Sequence, residues 1–95
     1  MTFDPTKVPR KHYTRSAFKH GYTEAEIWNA IIHAQWMYRE YDISKEPIYR
    51  YIGHPDPYTR DLIEVLVKPI QNDTIVVIFH AMRTGERANN DQHLR

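Results

Sequence analysis

The sequence predicts an α+β domain in which N-terminal helices pack on one face of a small antiparallel sheet of three or four strands. Three observations carry that expectation. Thr23-Glu24-Ala25-Glu26 has the form of a helix capping box and leads into apolar residues at helical spacing. The runs DLIEVLVKP and DTIVVIFHAM are rich in β-branched residues and are separated by Ile70-Gln71-Asn72, a compact turn that reads as an antiparallel hairpin. Helical signals come first along the chain and strand signals afterwards, the order of a fold whose helices and sheet are segregated.

Each element follows in turn. RKHYTRSAFKHG, residues 10–21, reads as a short helix closed by Gly21, which can take the left-handed conformation at C′. Lys19 and His20 then lie in its last turn, where cations complement exposed carbonyls. In the second helix the Thr23 hydroxyl accepts from the Glu26 N–H, the Glu26 carboxylate reaches back, and Tyr22 with Ile27 adds a hydrophobic staple. Ile27, Trp28, Ile31 and Ile32 form its buried stripe, and His33 is a boundary residue at its end. QWMYREYDI, residues 35–43, reads as the last helical turn running into an edge strand, without a signal for the boundary. PIYRYIGH alternates Ile48, Arg50 and Ile52 against Tyr49 and Tyr51, as a strand does. HPDPYTR is a loop, with His54 serving turn chemistry. The end, RTGERANNDQHLR, reads as a short helix that frays, with residues 88–95 a flexible tail.

Ninety-five residues enclose one core, so a single domain over 1–95 is expected. Hydrophobic residues at 41% and charged residues at 26% exclude a disordered chain. With no cysteine there is neither a disulfide framework nor a thiolate metal site, and a cytoplasmic setting is expected. No segment approaches the roughly 18 apolar residues of a membrane span, so no membrane partner is expected. The six histidines show neither an H-x-x-x-H helix nor a dense cluster, so no metal and no other cofactor are expected. A net charge of +1 gives no nucleic-acid signal by itself, but the 13 Lys and Arg are unevenly placed. Lys7, Arg10, Lys11, Arg15 and Lys19 crowd the beginning with a single acid, Asp4.

The apolar run VVIF ends by delivering His80 and then Arg83 and Arg87. If Val67 faces Val77 across the hairpin, Val65 faces Phe79 and Ile63 faces Ala81, making one apolar face. Glu64 then lies opposite His80 on the other face, where a carboxylate would raise the imidazole pKa and fix its tautomer.

The series FDP (Phe3 to Pro5), KHG (Lys19 to Gly21), a Thr and acidic helix start, and a hairpin followed by arginines resembles the BrnT-type toxins of bacterial toxin–antitoxin pairs. IFHAMRTGER looks like the HAM-containing branch of small toxin-like proteins related to them. The resemblance covers most of residues 3–90 and implies a RelE/ParE-like fold, a metal-independent endoribonuclease that arrests translation, and a cognate antitoxin that covers it. Its substrate would be RNA, including mRNA on the ribosome, and the toxin could form homo- or hetero-oligomers. Where the family's terminal strand ends in a small residue and Ala-Arg, this chain has His80-Ala81-Met82-Arg83.

RNA cleavage without a metal needs a base for the 2′-OH proton, a cation for the phosphorane and an acid for the leaving 5′-oxygen. The candidate catalytic residues are His80 as base or acid, Glu64 as its orienting group and His20 as the second proton-transfer group. Arg83 and Arg50 are candidate phosphate clamps, with Lys11, Arg15 and Lys19 as the basic face on which an acidic antitoxin segment would lie. Tyr49 or Tyr51 would stack on a base. The competing class is a non-catalytic nucleic-acid- or protein-binding module, either a ParE-like inhibitor or an accessory subunit. The two differ over single residues: losing a proton-transfer group abolishes catalysis and spares binding, whereas a binder loses affinity in modest steps over Lys and Arg.

Overall fold

The computed structural model describes residues 3–84. Its framework is a five-stranded mixed sheet with one α-helix, which corrects the expected helices on a three- or four-stranded antiparallel sheet and with it the RelE/ParE-like arrangement. The strands are β1 (Arg10–Tyr13), β2 (Trp36–Tyr41), β3 (Pro47–Gly53), β4 (Ile63–Ile70) and β5 (Ile75–Arg83), in the order β1-β5-β4-β3-β2. β2 to β5 form an antiparallel meander, and β1 joins β5 in parallel.

The largest departure lies at the start. RKHY is an edge strand with Arg10, Lys11 and His12 exposed, and only Arg15–Phe18 forms a 3₁₀ turn. Gly21 does take a positive φ of 87°, but it follows that 3₁₀ turn and not an α-helix. The helix α1 (Glu24–Ile32) has its capping box: Glu26 N donates to Thr23 Oγ1 at 3.2 Å and Thr23 N donates to Glu26 Oε1 at 2.9 Å. Thr23→Ala is expected to cost about 1 kcal/mol and to lower the thermal midpoint by roughly 4–8 °C; an unchanged midpoint in a melting curve would show that the cap contributes nothing.

Helix α1 lies on one face of the sheet, across β3 and β4. Ile27, Ala30 and Ile31 meet Tyr49, Tyr51, Ile63, Val65, Val67, Val76, Ile78 and Ala81 in one buried cluster, with Trp28 packed at its margin and Ile32 exposed. Gly53 is the close-approach point. A Cβ there would stand 2.4 Å from the Ala30 carbonyl oxygen, so no side chain can occupy the position at this helix–sheet distance. QWMYREYDI supplies the edge strand β2, which starts at Trp36 beyond the helix. The tail reading, residues 88–95, lies outside the described residues.

The β4–β5 turn covers residues 71–74, starting one residue later than the expected Ile70-Gln71-Asn72 and running one residue longer. Ile70 pairs with Ile75, and Gln71, Asn72 and Asp73 all adopt left-handed backbone with φ between 52° and 63°. Val67 therefore faces Ile78, one residue out of the expected register, which turns Val76 and Ile78 inward in place of Val77 and Phe79. A β-bulge follows: Val67 pairs with Ile78 but Leu66 pairs with His80, so Phe79 is the extra residue. Without it the alternation would send His80 into the core. With it His80 emerges on the face opposite the helix, and Ala81 takes the buried position.

Candidate functional site

The bulge that turns His80 outward is held from the N-terminal segment. Ser16 Oγ donates to the Phe79 carbonyl at 2.6 Å, and Thr14 N donates to the Ile78 carbonyl at 2.9 Å. The chain that makes these bonds continues to His20, whose ring meets that of His80 edge-on with centroids 6.1 Å apart. Two imidazoles separated by 60 positions in sequence are thus neighbours because one 3₁₀ turn clamps one bulge.

On this face Tyr38, Arg50, Leu66 and His80 form one cross-strand row, and Trp36, Ile52, Glu64 and Met82 form the next. Glu64 is diagonal to His80, not opposite it, with Oε2 3.3 Å from the His80 Nε2. The same carboxylate oxygen accepts from Arg50 Nη1 at 2.6 Å, and Arg50 also grips Glu40 through Nε at 2.6 Å and Nη2 at 3.1 Å. Glu64 is only 4% exposed, a burial that the guanidinium makes tolerable.

His80 itself departs from expectation. Burial pushes its pKa below the usual 6.5 and outweighs the opposing pull of Glu64, while His20 and Arg50 push it down further. The ring is therefore neutral at pH 7 with one nitrogen turned to a carboxylate, a tautomer in which the other nitrogen can accept a proton.

The remaining expected site residues divide. Arg50 belongs to the cluster, but its donors are committed to Glu40 and Glu64, so it secures a carboxylate where a phosphate clamp was expected. Arg83 pairs with Ile63, whose side chain faces the core, so the register sets it on the opposite side of the sheet from His80. Tyr49 and Tyr51 are 8% and 5% exposed beneath the helix layer, with Phe3 stacked on Tyr49, and neither offers a ring face to a base. Lys11 also lies on the helix side, its Nζ 4.0 Å over the Trp28 ring. Arg15 and Lys19 are exposed on the segment that leads to His20. His54 braces its loop, bonded through Nδ1 to the Asp61 carbonyl and through Nε2 to Gln35 Nε2, and His33 caps α1.

Two aromatic residues that the sequence reading passed over stand on the site's face. Trp36 and Tyr38 are 48% and 49% exposed, and Tyr38 shares the row of Arg50 and His80. Their signal was present in the alternation of WMYREY, which places Trp36, Tyr38 and Glu40 on one side. No family model, curated protein or solved structure matches the chain. Among the described residues, no helix is long and apolar enough to cross a membrane.

Proposed function

We propose that the protein is a metal-independent endoribonuclease of the toxin type, with the open sheet face as its active surface. The observation that carries this reading is the pair of adjacent imidazoles, one of them neutral, half-buried and backed by a buried carboxylate. His80 takes the proton from a 2′-OH, the freed oxygen attacks the adjacent phosphorus, and the 5′-oxygen departs with a proton delivered by His20. The products are a 2′,3′-cyclic phosphate and a 5′-OH. Glu64 holds the His80 ring and Arg50 holds Glu64, so both act as positioning residues. Tyr38 and Trp36 offer exposed rings for bases to stack on. RNA, an acidic antitoxin segment over Arg15 and Lys19, and translational arrest belong to the same reading; they rest on the short BrnT-like motifs FDP, KHG and IFHAMRTGER alone, since the fold is not the RelE/ParE-like one that the resemblance implies.

The exposed aromatics equally favour a second reading, a binding module that holds a partner without chemistry. Incubating the purified protein with single-stranded RNA in excess chelator separates the two. Fragments with cyclic phosphate ends are expected; RNA that is bound but stays intact would leave the nucleic-acid-binding module, and RNA neither bound nor cut would remove both RNA readings and leave a module for a protein partner.

A further inference from the structure

Arg10 and His12 stand on the same side of the sheet as His80, at the opposite end of β5. The register pairs Arg10 with Ile75 and His12 with Val77, and Val77 shares its face with Lys68, Leu66 and His80. Between the β1 edge and the hairpin end is an open cavity of about 270 Å³ lined by Arg10, Lys11, His12, Ile70, Ile75 and Val77. Arg10 brings a cation to it, its aliphatic lining is the half-buried Ile70, Ile75 and Val77, and no acid lines it, while the Lys11 ammonium lies on the helix side over Trp28.

The cations that β3 and β4 place on this face are already paired. Arg50 is held by Glu40 and Glu64, and Lys68 Nζ is held by Asp42 at 2.6 Å and Glu46 at 2.8 Å. Neither Arg10 nor His12 has an acidic partner among the described residues. An anionic strand crossing the face is therefore drawn to the β1 side. β1 is also an edge strand, so its outward backbone N–H groups pair with no other strand of the sheet.

We propose that this hollow is a nucleotide subsite of the RNA-cleaving surface, taking the phosphate on Arg10 and His12 and laying the base against Ile70, Ile75 and Val77. A cavity of about 270 Å³ is smaller than those that enclose drug-sized ligands and suits a single nucleotide. Val77 and His80 are three residues apart, about 10 Å along a strand, so a nucleotide here belongs to the same RNA strand as the bond being cut. The subsite rests on the endoribonuclease reading for its role, but its occupancy can be measured without cleavage.

The test uses the full chain carrying His80→Ala, with a nucleoside 5′-monophosphate, the matching nucleoside and inorganic phosphate as probes in NMR titrations. The monophosphate is expected to shift Arg10, His12, Ile75 and Val77 and to bind about ten-fold or more tighter than either fragment, because charge and apolar contact are used together. Arg10→Gln, an exposed substitution, should abolish that binding. In the otherwise wild-type protein it should raise KM for RNA several-fold with kcat unchanged, the mark of binding shared by ground and transition states. Inorganic phosphate binding as tightly as the nucleotide, or shifts elsewhere on the sheet, would overturn the subsite. So would RNA cleavage whose KM ignores Arg10→Gln, although the catalytic reading would then stand. Nucleotide binding that needs Arg10 in a protein that cuts no RNA would uphold the subsite and remove the catalytic reading.

Discussion

Arg50→Met is expected to destabilise the protein by about 3–5 kcal/mol, the usual cost of removing one partner from a buried ion pair, and to lower the thermal midpoint by at least about 12 °C. The reason is Glu64. Its side chain is 6% exposed and its Oε2 lies 2.6 Å from Arg50 Nη1, so removing the guanidinium takes a close countercharge away from a buried carboxylate. Glu40, at 38% exposure, can be hydrated when the guanidinium goes, so the penalty concentrates on Glu64. The double variant Arg50→Met/Glu64→Leu should recover most of the loss, because replacing a buried pair with apolar groups is often neutral or stabilising. Arg50→Lys should fall between, since an ammonium cannot make the two-nitrogen contact with Glu40 while also reaching Glu64. Denaturant melts of the three variants check this. A double variant as unstable as Arg50→Met would mean that the loss comes from Arg50 packing and not from the stranded carboxylate.

The parts of the fold that could be read from sequence are those written in neighbouring residues. Thr23 and Glu26 cap the same turn, so their bonds are local, and the alternations of β3 and the β-branched runs of β4 and β5 mark strands by themselves. β1 left no such mark. All of Arg10, Lys11 and His12 are exposed, and the strand exists because its backbone pairs with Ile75–Ile78, some 65 residues later. A basic segment followed by glycine looks helical when that distant partner is unknown. In β3 the alternation was legible but its direction was not, because Tyr49 and Tyr51 rather than Ile48 and Ile52 face the helix. The Glu64–His80 approach was inferred from a register that is wrong by one residue at the turn and by two beyond the bulge. Two shifts restore the parity that one would have reversed, so the pair survives as a diagonal contact. The left-handed run at Gln71–Asp73 and the Ser16 bond to Phe79 accompany those shifts; Asn72 and Asp73 are residues that tolerate left-handed backbone but do not fix the length of the run, and the Ser16 bond spans 63 positions and has no local signature.

His80→Ala is expected to reduce RNA cleavage by at least about 10²-fold, the lower range for a positioned acid–base group, while RNA binding changes little because Arg10, Arg15 and Lys19 are untouched. The fold should persist, since His80 lies on the open face and Leu66 beside it is only half-buried. Two pH measurements distinguish a base from a strand residue. If His80 acts as the base, the wild-type rate should keep rising with pH only up to its lowered pKa, so its acid limb lies below 6.5, and no such limb should remain in the residual rate of the variant. Stability gives the second, independent of activity. The unfolded chain protonates this imidazole near 6.5 and the folded one only at lower pH, so the neutral ring's contribution is intact above about 6.5 and is lost as pH falls toward the folded pKa. Wild-type should therefore lose stability in that window and His80→Ala should lose less. Cleavage by a folded His80→Ala protein at the wild-type rate would remove His80 from the chemistry and leave the bulge as a structural device alone. Equal acid sensitivity of the two proteins would show that burial does not hold the ring neutral, and with it would go the reason for choosing His80 over His20 as the base.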